Sequence, residues 1–124
     1  MNDNQQQFDT IRRFPRYQTM DRALALIAQP PAVTPYHIID ISEGGLAFRY
    51  LGEKVMGNDI AVIDLCYNET LYVKGVPVKS VADCWTGSHL TDIRRKCISF
   101  EHLSVEQREQ LELFIKLYSQ DQLQ

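Results

Sequence analysis

From Arg22 onward the chain alternates short apolar runs with turn residues. Residues 23 to 28 mix apolar and small side chains and predict a strand, stopped by Pro30-Pro31. Tyr36 to Ile41, rich in β-branched and aromatic residues, predicts a second. Gly44-Gly45 punctuates, and Leu46 to Tyr50 predicts a third, so these two strands form a hairpin through a glycine-containing loop. Gly52, Gly57 and Asn58-Asp59 mark the next turn. Ile60 to Tyr67 then predicts a fourth strand, Asn68-Glu69 a turn, and Leu71 to Val81 a fifth strand with Tyr72, Lys74, Val76 and Val78 alternating along it. Pro77, which has no N–H to give, marks an edge or a bulge there. Asp83 to Thr91 reads as a loop and Lys96 to Glu101 as a sixth strand.

The period then changes. Ser104-Val105-Glu106-Gln107 has the form of a capping box, with a hydroxyl at the N-cap and an amide three residues on. Leu111, Phe114, Ile115 and Tyr118 follow at i, i+3, i+4 and i+7, the apolar face of a helix, with Glu109, Glu112, Lys116 and Gln120 opposite. Leu113 and Leu117 widen the stripe, and the expectation is that they too are buried against the domain. Six short strands followed by one helix predict a mainly β fold: a small six-stranded antiparallel barrel with a C-terminal α-helix, whose closure hides the strand edges.

The chain has 124 residues, enough for one domain with a modest core. Residues 1 to 11 carry no periodicity and read as a flexible N-terminal tail. The organisation expected is a single domain over residues 12–119: an arginine loop at 12–16, the barrel at about 22–101 and the helix at about 104–119. Met1 to Gln7 is polar with no apolar stretch of signal-peptide type, and the longest apolar run is far too short to span a bilayer. The expectation is a cytoplasmic protein without membrane insertion. The three cysteines, Cys66, Cys84 and Cys97, have no Cys-x-x-Cys spacing, which argues against a disulfide framework and against a zinc site; Cys97 reads as a small core residue.

A net charge of −3 argues against binding a nucleic acid polymer, which relies on many cationic contacts to phosphate. Local charge differs. Arg12, Arg13, Arg16 and Arg22 lie in one short segment, which suits a small polyanionic ligand. Arginine offers a planar, permanently charged fork of donors that takes a phosphate bidentately, and Pro15 restricts the segment that carries them. Downstream, Asp40-Ile41-Ser42-Glu43-Gly44-Gly45 supplies other chemistry. An ionised Asp40 accepts, and Ser42 donates and accepts, which matches the polar edge of a purine. Strand alternation puts Asp40 and Ser42 on one face with Ile41 on the other. Gly44 and Gly45 permit positive φ and a close backbone approach. Each motif alone is common; their order, one strand apart in a small β domain, is what makes the pair informative.

Together, Arg12-x-x-x-Arg16 and Asp40-x-Ser42-x-x-Gly45, with the Gly45-Leu46-Ala47-Phe48 continuation and Ile98-Ser99-Phe100-Glu101 before the last helix, resemble the PilZ family. The resemblance runs from about Arg12 to about Tyr118. It implies a six-stranded barrel and a bacterial second-messenger receptor for cyclic di-GMP. By that resemblance Arg12 and Arg16 bind the phosphates or stack on guanine, with Arg13 a weaker candidate, while Asp40, Ser42 and Gly45 contact guanine on the barrel surface. Ile11, before the first arginine, points to a single bound ligand. Cys97 departs from the glycine common in relatives, at a place expected to lie away from both motifs. Ligand binding would order the arginine loop and change the surface shown to a downstream protein partner. No catalysis and no cofactor besides the ligand are implied.

Three rival readings have distinct signatures. A nucleotide-independent adaptor of the same fold would act by protein contacts alone, and loss of either arginine would favour it. A barrel for single-stranded nucleic acid would use Tyr17, Phe48, Tyr50, Tyr67 and Tyr72 for stacking, against the acidic balance. An enzyme finds no support in His37, His89 and His102, which are scattered and lack a nucleophile–base spacing.

Overall fold

The computed structural model describes residues 14–29, 32–51, 60–85 and 93–123. Expectations about the tail at 1–11, Ile11, Arg12, Arg13, the Pro30-Pro31 stop, the turn at Gly52 to Asp59, and His89 therefore lie outside the described residues. The elements are β1 (Arg16–Thr19), β2 (Ala23–Gln29), β3 (Ala32–Ile41), β4 (Gly45–Leu51), β5 (Val62–Tyr67), β6 (Thr70–Trp85), β7 (Ile93–Phe100), α1 (Val105–Tyr118) and β8 (Ser119–Leu123).

All strand pairings are antiparallel, in the order β2-β5-β6-β7-β4-β3, and β3 pairs back onto β2. Six strands thus close a barrel, as the pattern predicts. Two further strands were not legible: β1 pairs with the far end of β3, and β8 pairs with β1. The ten-residue β3 serves both, with His37 opposite Leu24 of β2 and Asp40 opposite Gln18 of β1. The expected arginine loop accordingly ends at Arg16, the first residue of a strand, and the expected loop from Asp83 is strand through Trp85, its remainder lying outside the described residues.

Inside the barrel, Ala23, Ala25, Ile27, Leu46, Phe48, Ile63, Leu65, Val73, Val76 and Ile98 form one core with Leu111, Phe114 and Ile115 of the helix. Most obey the two-residue period of a strand. Where the period fails, a bulge is the reason. Lys74 and Gly75 of β6 face Asp64 alone, between the Ile63↔Val76 and Leu65↔Val73 pairs. Gly75 has a φ of 68°, the left-handed region that a glycine adopts without steric cost, and its N–H donates to the Asp64 carboxylate at 2.7 Å. The bulge frees carbonyls from the ladder, and the helix uses them: Gln107 Nε2 donates to Lys74 O and Gly75 O, both at 3.0 Å. Pro77 lies where the β6–β7 ladder begins, two residues past the bulge, so of the two readings, edge or bulge, β6 takes the bulge.

The capping box forms as read from sequence. Gln107 N donates to Ser104 Oγ and Ser104 N to Gln107 Oε1, each at 3.0 Å. At the other end, Tyr118 stacks on Tyr67 with ring centroids 3.9 Å apart and donates a hydrogen bond to the Tyr72 hydroxyl. Leu113 and Leu117 correct the expectation of a wholly buried stripe, for they are 50% and 46% exposed. The apolar arc is wider than the barrel beneath it, and burying one face leaves those two outside.

Candidate functional site

Asp40 sits at a break in the β3–β4 ladder. Ile38 pairs with Phe48 and Asp40 with Ala47, leaving Ile39 extra. Ile38 and Ile41 are both core residues although three apart, so the bulge turns Ile39 and Asp40 together toward the outside. There the Asp40 side chain, only 5% exposed, accepts a hydrogen bond from Arg95 Nη2 at 2.6 Å. Burial disfavours the Arg95 cation, and the charge and hydrogen bond of Asp40 more than offset it, so the guanidinium pKa is raised.

Around this pair opens a cavity of about 630 Å³, lined by Arg16, Gln18, Thr19, Met20, Asp21, His37, Ile38, Ile39, Asp40, Arg49 and Arg95. Three guanidiniums stand here against two carboxylates. Among the described residues, Arg16 and Arg49 make no ion pair. The walls are fixed. Thr19 Oγ1 donates to Ile38 O at 2.5 Å, which ties β1 to β3. His37 Nδ1 lies 3.1 Å from the Asp21 carbonyl, which can only accept, so the ring donates through that nitrogen.

Of the residues read from sequence, the fold brings Arg16 and Asp40 to this one cavity. Ser42 and Gly45 do not line it. Ser42 is buried and organises the turn: its Oγ accepts from Gly44 N at 3.1 Å and lies 3.4 Å from Gly45 O, to which Ser42 N also donates at 2.8 Å. Gly45 faces strand β7, where a Cβ would stand 2.2 Å from Ile98 O. Gly44 and Gly45 do not use the positive φ that glycine permits; Gly75 is the described glycine that does. Arg12 and Arg13 precede the first described residue, Phe14.

Sequence reasoning missed Arg49 and Arg95. They are opposite each other on β4 and β7. Arg95 was visible only as part of Arg94-Arg95-Lys96, and its neighbour Cys97 corrects another expectation. Cys97 was placed away from the motifs, yet it lies directly across β4's Ala47 from Asp40. With Ala47 and Val81 it forms a small satellite cluster separate from the barrel core. Burial pushes the Cys97 thiol up, while the hydrogen bond and charge of Arg95 pull it down, with a net rise.

A second polar cluster satisfies itself. Asp83 accepts from Tyr50 at 2.5 Å and from Arg94 at 2.8 Å, and lies 3.7 Å from the fully buried Lys96 ammonium. Two cations and a hydroxyl gathered on one carboxylate with little exposure are the mark of an internal brace. Among the described residues no group of three acidic, histidine or cysteine side chains could hold a metal ion, and no helix is long and apolar enough to cross a membrane.

No family model matches the chain, and no curated protein matches it in sequence. Solved structures do. MrkH of K. pneumonia in complex with c-di-GMP superposes with a TM-score of 0.65 at 14% identity, over 84% of this chain and 50% of that one. YcgR of Escherichia coli in complex with c-di-GMP gives 0.61 at 15% identity, over 84% and 44%. The PilZ domain of that YcgR with c-di-GMP gives 0.59 at 13% identity, over 84% of this chain and 88% of the domain. The chain spans about half the length of the MrkH and YcgR chains. Six closed strands, one C-terminal helix and these superpositions give the chain the PilZ-domain fold.

Proposed function

We propose that this chain is a cyclic di-GMP-binding receptor domain that acts by changing shape, without catalysis. The observation that carries the reading is the cavity between β1 and β3, where Arg16, Arg49 and Arg95 surround the nearly buried Asp40. A ligand with two phosphodiesters and a guanine edge answers both features: guanidiniums for the phosphates, and a fixed carboxylate for the N1–H and N2–H₂ donors of guanine. The neighbours that share the fold were solved with this ligand, which supports the same reading. Arg12 and Arg13, just upstream of β1, would complete the phosphate clamp. Ser42 and Gly45 would serve the ligand through the turn, by holding Asp40 and the start of β4 in place.

Binding would fasten Arg16 and the segment before it to the barrel, which alters the surface offered to a downstream protein. The half-exposed Leu113 and Leu117 on α1 suit such an output by protein contact.

Isothermal titration of the wild type and Arg16→Ala with cyclic di-GMP tests the proposal. Wild-type binding, with Arg16→Ala weakened by about 1.5–3 kcal/mol per lost charge-assisted contact and its melting temperature little changed, is expected. A well-folded wild type that does not bind would refute it and favour the nucleotide-independent adaptor.

A further inference from the structure

We infer that Arg95 is a specificity-determining positioning residue of this site: it locks the Asp40 carboxylate in register for a guanine edge and cancels its charge so that a dianion is admitted. The inference rests on the cyclic di-GMP reading and adds to it a residue outside both motifs.

The placement is demanding. Arg95 is on β7 and Asp40 on β3, with β4 between them. Two strand spacings and an offset of two residues, since Arg95 is level with Arg49 and Asp40 with Ala47, separate their backbones by roughly 11–12 Å. On β4 the residue opposite both Asp40 and Cys97 is Ala47, buried and small. To meet Asp40 the Arg95 side chain crosses β4 obliquely, from the level of Arg49 to that of Ala47, where a bulkier residue would crowd the crossing. Only a long side chain ending in a fork of donors makes the reach and still arrives at 2.6 Å.

The charge arithmetic is equally specific. Asp40 is 5% exposed and has little water to screen it. Left alone, it would repel each phosphate entering the cavity. Arg95 neutralises it, and the remaining Arg16 and Arg49 then outweigh Asp21 across the same cavity. The pairing also leaves capacity for the ligand. A carboxylate has about four acceptor positions, and Arg95 occupies one at Oδ2. The Arg95 side chain is 31% exposed and lines the cavity, so its unused N–H groups can face a bound acceptor. A carboxylate held in one orientation discriminates: guanine offers it N1–H and N2–H₂, whereas N1 of adenine is itself an acceptor. Freed to rotate, the same carboxylate loses that geometry.

The test is titration with cyclic di-GMP and cyclic di-AMP of the wild type, Arg95→Gln, Arg95→Lys and the double variant Asp40→Asn/Arg95→Gln, with melting temperatures measured alongside. Arg95→Gln should weaken cyclic di-GMP binding by about tenfold or more, the loss of a charge-assisted contact, and narrow the ratio of the two affinities. Arg95→Lys keeps the charge without the fork, and should recover affinity more than it recovers the ratio. It also carries the reading if Arg95→Gln does not fold. In the double variant the carboxylate that needed a partner is gone, so the loss in melting temperature should be smaller than in Arg95→Gln. Variants that melt lower but keep the wild-type affinity ratio would show Arg95 to be only structural and would overturn the inference. So would unchanged binding of both nucleotides by Arg95→Gln. A wild type that binds neither nucleotide would instead remove the function proposed above, and this inference with it.

Discussion

Gly45→Ala is the substitution on which the structural reading of the second motif is most exposed. A Cβ at Gly45 would lie 2.2 Å from Ile98 O, 3.1 Å from Ser99 Cα and 3.2 Å from Ile98 C. The first contact falls about 0.8 Å inside the 3.0 Å below which real Cβ atoms essentially never come. All three neighbours are backbone, so no side chain can swing aside. Relief requires β4 and β7 to part where Gly45 pairs with Ser99. That movement strains two hydrogen bonds of the adjoining turn, Phe100 N to Gly44 O at 2.9 Å and Ser42 N to Gly45 O at 2.8 Å. Overpacking against rigid neighbours costs about 1–3 kcal/mol, and weakening one backbone hydrogen bond adds roughly 1. A loss of about 2–4 kcal/mol is expected. The assay is urea unfolding followed by circular dichroism, which should show a lower midpoint at unchanged slope. Cyclic di-GMP affinity should fall as well, because the turn that follows Asp40 is displaced. A Gly45→Ala protein within about 0.5 kcal/mol of wild type would refute the steric argument. If its affinity were nonetheless lost, Gly45 would be a place where the ligand itself approaches the backbone.

Two further expectations come from the helix. Ser104→Ala removes the N-cap acceptor of Gln107 N and should cost about 1 kcal/mol in urea unfolding, whereas Gln107→Ala should cost more, since it also releases the carbonyls of the β6 bulge. Tyr118 has its pKa pushed up from 10.0 to about 12 by its hydrogen bond to Tyr72, then by burial and the charges of Tyr72 and Tyr67. A raised pKa in the folded state means that this contribution is intact below pH 10 and is lost as pH rises toward about 12. Tyr118→Phe, which keeps the stack on Tyr67, should flatten the fall of the unfolding midpoint across that window; an equally steep fall in both proteins would count against the assignment.

The barrel was legible because its inner positions repeat with period two and its turns use residues that declare themselves. Asn68, read as a turn, has a φ of 60° in the two-residue link between Tyr67 and Thr70. The helix was legible from its cap. What escaped were β1 and β8, and the reason is physical. Arg16–Thr19 and Ser119–Leu123 are polar and lie outside the closed barrel, so neither carries an apolar alternation. β1 is a strand because the edge of β3 beyond its pairing with β2 offers backbone partners, and β8 because β1 offers its own free edge in turn. The half-exposure of Leu113 and Leu117 escaped for a related reason: a helical stripe shows which residues can face a barrel, not how wide that barrel is.

The site was legible in halves. Arg16 and Asp40 were found by motif, but Arg95, 55 residues from Asp40, was not. No local pattern could have supplied it, because the contact depends on register across β3, β4 and β7 and on the bulge at Ile39 in β3. Yet the contact is not independent of the fold. Along β7, Ile98 fills the barrel core and Lys96 is fully buried, while Arg95 and Cys97 take the opposite face. A slip of one residue would carry Arg95 into the core and Ile98 out of it. The free energy that keeps Ile98 inside therefore also holds Arg95 over Ala47 and against Asp40. For that reason a conservative core change at Ile98 that permitted register slippage should reach the cavity as surely as a substitution of Arg95 itself.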